Sequence, residues 1–241
     1  MDPEYARRYR DLYNHHWWWR AREDVIVELL RTMRPPTGWA HILDIGCGGG
    51  VFFDRLAEFG DVRGVEPDAT LVDDDPAVRR RIHIGPFDES YRPEQRFGLI
   101  LMLDVIEHLD DPTAALRLAL SMLEPDGVIL LTVPAFRTLW TTHDDINQHR
   151  TRYTKRSMRA LARHSGMRIG RIRYFFHWTA SIKLAQRVVE AFVHPTPTPA
   201  TIPPPAINSF LYRMSRAEHR LLTRFHLPFG SSLLVLGYRA K

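Results

Sequence analysis

Residues 41–50, His41-Ile42-Leu43-Asp44-Ile45-Gly46-Cys47-Gly48-Gly49-Gly50, run a short apolar stretch straight into a glycine cluster. An apolar run of this length predicts a buried strand. Glycines at its end permit positive φ and let backbone approach a ligand closely. The residues after them, 51–59, have the pattern of a helix, whose N-terminus offers free N–H groups. Strand, glycine loop and helix together mark the C-terminal edge of an open parallel sheet, where ligands of such sheets bind.

The next strand, 61–65, ends in Glu66-Pro67, with Glu66 sixteen positions beyond Gly50. A carboxylate placed there can accept both hydroxyls of a ribose. A dinucleotide fingerprint needs glycine at its first, third and sixth positions. Counted from Gly46, the sixth position is Val51. The glycines instead follow Asp44 at alternate positions, which suits a ligand that lacks a pyrophosphate and brings an ammonium to a carboxylate.

Outward from this unit, strands and helices alternate. A weak strand is expected at 81–84 and a fully buried one at 97–103. An amphipathic helix at 112–123, a turn at 124–127 and a buried strand at 128–133 follow. A helix at 155–165 leads to a strand at 167–175. This alternation predicts an α/β, Rossmann-like doubly wound sheet. A single continuous helix is expected at 3–34, ended by Pro35-Pro36. The pattern divides one domain, 1–241, into a helical cap (1–35), a core (36–175), a helical insertion (176–226) and a final strand (227–241). The insertion contains a link at 194–205 with six prolines, expected to be extended.

The bulk composition fits a globular chain of 241 residues, with 44% hydrophobic and 25% charged residues. The net charge of +5 comes from 33 basic against 28 acidic residues, without a basic block of five or more. A mildly basic surface accounts for it better than a nucleic-acid partner. One cysteine, Cys47, rules out a disulfide framework within the chain. No apolar run of about 18 residues is present, so no membrane span is expected, although peripheral contact remains open. A cytoplasmic location is the default expectation.

With these residues set out, the chain resembles class I methyltransferases that use S-adenosylmethionine (SAM). It also resembles a bacterial small-molecule subgroup with a His-Trp-Trp-aromatic-Arg segment, here His16-Trp17-Trp18-Trp19-Arg20. Further matches are Val133-Pro134-Ala135-Phe136, Leu139-Trp140, His143-Asp144, His149-Arg150, Tyr153-Thr154 and 227–232. The resemblance implies seven strands, mostly parallel, the last antiparallel. It implies that Asp44, Gly46, Cys47, Gly48 and Gly50 contact the methionine part of SAM, and that Glu66, beside Pro67, holds the ribose. Phe87 and Asp88 would lie at the adenine, and Leu103 and Asp104 on the cofactor's floor. Trp17 would pack on SAM, with Arg20 or Arg22 near its carboxylate; core packing explains the tryptophans equally well.

Residues 103–108, Leu103-Asp104-Val105-Ile106-Glu107-His108, are similar to the Asp/Glu-x-x-Glu-His element of ubiquinone-pathway O-methyltransferases. Asp104, Glu107 and His108, with His149, would hold a divalent metal if one binds, but bracing of the next helix is the plainer reading. His108, His143 and His149 are the candidate bases. The acceptor expected is a small apolar or amphipathic molecule, O-methylated by preference over N or C. An RNA methyltransferase and a SAM-binding regulator without catalysis are the alternatives. Lid, homodimer interface and plain core have equal standing for the insertion.

Overall fold

The computed structural model describes residues 3–72, 75–193 and 200–240, with side chains from Tyr9 onward. Seven strands form one sheet in the order β3-β2-β1-β4-β5-β7-β6. They are β1 (Trp39–Ile45), β2 (Gly60–Glu66), β3 (Ile82–Ile84), β4 (Phe97–Leu103), β5 (Leu123–Pro134), β6 (Met167–Phe175) and β7 (Ser232–Arg239). The pairs β1–β2, β1–β4, β2–β3 and β4–β5 are parallel. β7 wedges between β5 and β6, antiparallel to both. The strand order reverses between β1 and β4, so the crevice at the switch point opens beyond Ile45 and Leu103.

The central strands are apolar on both faces because both faces are covered. On one face Ile42, Leu99, Leu101, Leu130 and Leu234 meet Val25, Ile26, Leu29 and Leu30 of α2 (Trp17–Met33). On the other, Leu43, Ile100, Met102, Ile129 and Leu131 meet Leu116, Ala119 and Leu120 of α5 (Pro112–Ser121) and Met158 and Leu161 of α7 (Lys155–Ser165). Alternate residues of one strand thus serve opposite layers. Each fully buried Leu or Ile contributes about 2 kcal/mol by leaving water.

The helix expected at 3–34 is broken into α1 (Pro3–His15) and α2. His16 adopts extended backbone at φ −74°, ψ 134° and its ring accepts a hydrogen bond from Trp18 N. Asn208 straddles the break: its Oδ1 accepts from Trp17 N at 2.8 Å and its Nδ2 donates to His15 O at 2.8 Å. Both backbone groups freed by the break are therefore satisfied from a distant helix. The expected helix at 51–59 shrinks to one turn, α3 (Phe53–Leu56), and α4 (Pro76–Arg79) is a further single turn. The turn at 124–127 survives inside β5 as an excursion, with pairing that jumps from Phe97–Leu123 to Leu99–Val128.

After β5 come a 3-10 turn (Arg137–Leu139) and α6 (Thr142–Ile146). Two helices, α8 (His177–Phe192) and α9 (Pro205–Leu222), fill the stretch between β6 and β7. α9 packs on α2, where Tyr212 Oη donates to Asp24 at 2.5 Å and Arg216 pairs with Asp24 and Glu28. The first turn of α8 is buried through His177, Thr179 and Ala180, whereas Val188, Val189 and Phe192 are exposed. Of the proline-rich link, 194–199 lie outside the described residues, and 201–204 are without regular structure before α9. No described helix is long and apolar enough to cross a membrane.

Candidate active site

The glycine loop keeps the conformation its sequence demands. Gly46, Gly48 and Gly50 all have positive φ, and a Cβ on Gly46 would meet Val105 Cγ2 at 2.7 Å. Glu66, 5% exposed, sits under the loop. Its Oε2 accepts from Gly48 N at 2.8 Å and its Oε1 from Asp68 N at 3.0 Å. Each carboxylate oxygen has a second lone pair, so these bonds leave room for two more donors. Burial raises the Glu66 pKa against the lowering effect of the Asp68 and Gly48 amides. Cys47 is buried beside the loop, and Tyr9 of α1 reaches within 3.5 Å of where a Gly48 Cβ would lie.

Asp44, at the end of β1, is 4% exposed, and its carboxylate has no hydrogen-bond partner among the described residues. Burial pushes its pKa up to about 7, with Arg22 opposing and Glu66 reinforcing the shift. Arg22 is buried as well and pairs with Asp104. Its guanidinium lies 5.1 Å from the ring centre of Trp18, and its Nε has no partner. Asp104 takes φ +56°, an unfavourable value for a non-glycine residue. That backbone turns its carboxylate toward Arg22 at the tip of β4.

A cavity of about 660 Å³ opens at this edge. Gly46, Leu103, Asp104, Arg22 and Tyr9 line it from the strand ends and the N-terminal helices; Glu107, His108, His143, His149, Arg152 and Lys183 line it from the loop after β4, from α6 and the segment after it, and from α8. Trp17, Trp18, Trp19 and Trp178 also line it. Trp17 stacks on Trp178 with ring centres 5.2 Å apart, so its packing role and its place in the wall coincide. Of the two arginines expected here, Arg22 lines the cavity; Arg20 lies over the Tyr212 ring, 4.6 Å from its centre.

Of the residues expected at the cofactor, Gly46, Leu103, Asp104, Trp17 and Arg22 line the cavity, whereas Asp44, Cys47, Gly48, Gly50, Glu66, Pro67, Phe87 and Asp88 are not among its lining residues. Pro67 is exposed. Phe87 packs near Tyr91, with ring centres 6.0 Å apart, and Asp88 is exposed and accepts from Ser90 N and Oγ.

Two clusters far apart in sequence become one. Arg150 N donates to Glu107 O at 2.8 Å and Arg150 Nε to His108 O at 2.9 Å, which ties the segment after α6 to the loop after β4. The His108 and His149 rings then lie edge to face with centres 4.8 Å apart. Asp144 anchors the arrangement from α6, where a Thr141–Asp144 capping box holds it with no exposure at all. Asp144 Oδ1 accepts from His149 Nδ1 at 2.8 Å and from Arg152 Nε at 2.7 Å, and Oδ2 accepts from Thr141 N at 2.9 Å. Burial works against its charge, but His149 and Arg152 prevail and hold the carboxyl well below the usual range.

An ionised carboxylate only accepts hydrogen bonds, so His149 Nδ1 donates to Asp144, and Nε2 is the ring nitrogen that Asp144 does not engage. Burial lowers the pKa of His143 to about 4, with Lys183 adding to the effect. Burial and then His149 lower that of His108.

Glu107 is fully buried, and neither carboxylate oxygen has a partner. Burial, reinforced by Asp104, raises its pKa well above the carboxylate range. Donor atoms of Glu107, His108 and His149 lie within 4.8 Å of one another. This set of one carboxylate and two imidazoles fits a divalent transition ion. Asp104, the third ligand expected from the sequence, is engaged with Arg22 instead. Sequence reasoning missed Lys183, Gln186 and Glu190 of α8 as cavity residues; the signal was a lysine within an apolar stripe, one of three in a chain with thirty arginines.

The sheet order and the glycine edge define a Rossmann-like methyltransferase fold, and the comparisons agree. A methyltransferase-domain family model matches residues 8–170, and the chain belongs to that family; the cofactor of this class is SAM. The ubiquinone biosynthesis O-methyltransferase of Azorhizobium caulinodans is 37% identical over 109 residues, 42% of this chain and 43% of that protein. The same-named protein of Coxiella burnetii is 25% identical over 146 residues, 55% of this chain and 62% of that protein. The matched stretches thus span between two fifths and two thirds of these curated relatives. Among solved structures, a SAM-dependent methyltransferase of Clostridium acetobutylicum superposes with a TM-score of 0.59 at 10% identity, covering 99% of this chain and 98% of that one.

Proposed function

We propose that this protein transfers the methyl group of SAM to a hydroxyl of a small, apolar or amphipathic acceptor, with His149 as general base. The observation that carries the reading is a single cavity bounded by the C-terminal ends of β1 and β4 on one side and by the Asp144-anchored His149 on the other. Gly46 and Asp44 lie at the sulfonium and ammonium end in this reading, Glu66 at the ribose, and Arg22 near the methionine carboxylate.

Methyl transfer from a sulfonium is an in-line displacement by an electron pair of the acceptor oxygen. The methyl carbon gains the C–O bond as the C–S bond breaks, and S-adenosylhomocysteine leaves. The donor is already activated, so the protein's task is to align the acceptor within about 3–3.5 Å of the methyl carbon and to remove its proton. His149 Nε2 takes that proton, and Asp144 stabilises the resulting imidazolium. The tryptophan wall excludes water from the methyl group. A small acceptor is favoured because a cavity of about 660 Å³ has the size of a small-ligand site.

The similarity to ubiquinone-pathway O-methyltransferases supports oxygen as the target. A divalent ion on Glu107, His108 and His149 would be an alternative to the base: His149 Nε2 would then be a ligand, and the ion would lower the pKa of an acceptor hydroxyl. Calorimetry of chelator-treated protein with manganese or zinc should then show one site at micromolar concentration, lost in His108→Ala; no heat in the wild type rules the ion out.

The test of the main reading is SAM binding followed by product formation. Glu66→Ala is expected to weaken SAM binding about tenfold or more by calorimetry, the effect of removing charge-assisted hydrogen bonds. Unchanged affinity sinks the ribose assignment. SAM binding without S-adenosylhomocysteine release across a broad panel of phenols, acids and amines would favour a binding role without catalysis.

A further inference from the structure

The acceptor end of the cavity holds more donors than its charge balance explains. Arg152 is 7% exposed and lines the cavity. Its Nε is bound to Asp144 and its Nη1 donates to Ala135 O at 2.7 Å, which leaves Nη2 without a partner among the described residues. Lys183, half-buried on α8, lines the same end, and its Nζ likewise has no partner among the described residues. Neither group can accept a hydrogen bond.

Of the nearby acids, Asp144 and Glu190 are bonded elsewhere, and burial favours the protonated, uncharged form of Glu107, whose oxygens have no hydrogen-bond partner among the described residues. Asp144 accepts from His149, Arg152 and Thr141. Glu190 Oε1 accepts from Thr142 Oγ1 at 3.1 Å and Gln186 Nε2 at 2.7 Å, and Oε2 from Thr142 N at 3.2 Å. His143, lowered by burial, is neutral at pH 7 and offsets no charge.

We propose that this end is an anion subsite: the acceptor carries a carboxylate or phosphate on an apolar body, and Arg152 and Lys183 bind that group. The inference rests on the methyltransferase reading for the word acceptor, but the binding site stands on its own geometry. Burial and then the Arg152 charge push the Lys183 pKa down to about 8 despite the opposing charges of Asp144 and Glu190, and an anion between Arg152 and Lys183 would relieve the repulsion that remains. Arg152 is pre-oriented by two of its three nitrogens, so its remaining donor is held at little entropic cost. Lys183 reaches from the opposite element, so the pair grips from α8 and from the segment after α6. Trp178 and Ile182, close by on α8, supply apolar surface for the body of the molecule.

The probes are cinnamate and cinnamamide, similar in shape and different in charge, with phenyl phosphate as a third ligand. Each is titrated by calorimetry into the protein with S-adenosylhomocysteine present. Wild-type protein is expected to bind cinnamate about tenfold or more tightly than cinnamamide, the scale of a charge-assisted contact. Lys183→Met, which keeps the apolar stem, is expected to remove most of that preference and leave cinnamamide affinity within about twofold. The stronger of cinnamate and phenyl phosphate identifies the anion class.

Equal affinity for acid and amide in the wild type overturns the inference, as does a full preference retained in Lys183→Met or no binding of either acid. S-adenosylhomocysteine binding is read in the same experiment. Its absence with charge preference intact would fail the methyltransferase reading and not the anion site; its presence without charge preference would do the reverse.

Discussion

His149→Ala is expected to lower kcat about 10²- to 10⁴-fold, the usual contribution of a positioned general base, while SAM affinity stays within about twofold. The split follows from where His149 stands. It lines the cavity, fixed by Asp144, and no hydrogen bond joins it to the glycine loop among the described residues. His108 and His143 line the same cavity, but burial lowers the pKa of both, and neither has a hydrogen bond to a carboxylate among the described residues as His149 has to Asp144. His108→Ala is accordingly expected to cost less than His149→Ala. The measurement is single-turnover methyl transfer from radiolabelled SAM, with SAM affinity by calorimetry on the same protein. Full kcat in His149→Ala removes it as the base. A melting curve is needed beside it, because loss of the His149 contact leaves Asp144 with Arg152 and Thr141 alone. Asp144→Asn is the less decisive variant: it strips the buried Arg152 of its carboxylate and is expected to destabilise the fold.

The sheet was legible in the sequence because its signal is local. Residues 97–103 are apolar throughout, as a strand buried on both faces must be, and they form β4 with the bounds expected. The glycine loop was legible for the same reason: Gly46, Gly48 and Gly50 need positive φ wherever the chain goes. The break at His16 was not legible. Helical periodicity runs through it, and the group that makes the break tolerable, Asn208, lies 191 positions from Trp17. A window of sequence cannot weigh a hydrogen bond supplied from α9.

The candidate site divides along the same line. His108 and His149 were each singled out, but their convergence depends on Arg150 bonding back to Glu107 and His108. Asp104 illustrates the reverse error. Spacing alone groups it with Glu107 and His108 on one helical face, whereas its positive φ swings it to Arg22. Lys183 sits in a helix whose apolar pattern suggested packing, and only the fold turns it, with Gln186 and Glu190, into the cavity.

The second large effect concerns the other end of the cavity, and it has two parts with opposite signs. Asp44→Asn is expected to weaken SAM binding about 10- to 100-fold, as loss of a charged, buried partner for the ammonium or sulfonium, and to stabilise the ligand-free protein. The stabilisation follows from linkage. Burial raises the Asp44 pKa from 3.8 to about 7, so folding favours the protonated form. The associated stability is present in full below pH 3.8 and is lost as the pH rises toward 7. Above that, the ionised carboxylate sits buried without a partner, and asparagine avoids this cost. A gain on the order of 2 kcal/mol is expected near pH 7.5, roughly 4–8 °C in Tm for a chain of this length. The same linkage sets the ligand's pH dependence: a cation binds the ionised form, so wild-type affinity for SAM should fall as the pH drops below about 7, and the fall should be absent in Asp44→Asn. Calorimetry at pH 6 and pH 8 and thermal melts of both proteins test this. A variant that binds SAM as wild type does, or that melts lower, would show that Asp44 is already compensated in the free protein and is not held for a cation.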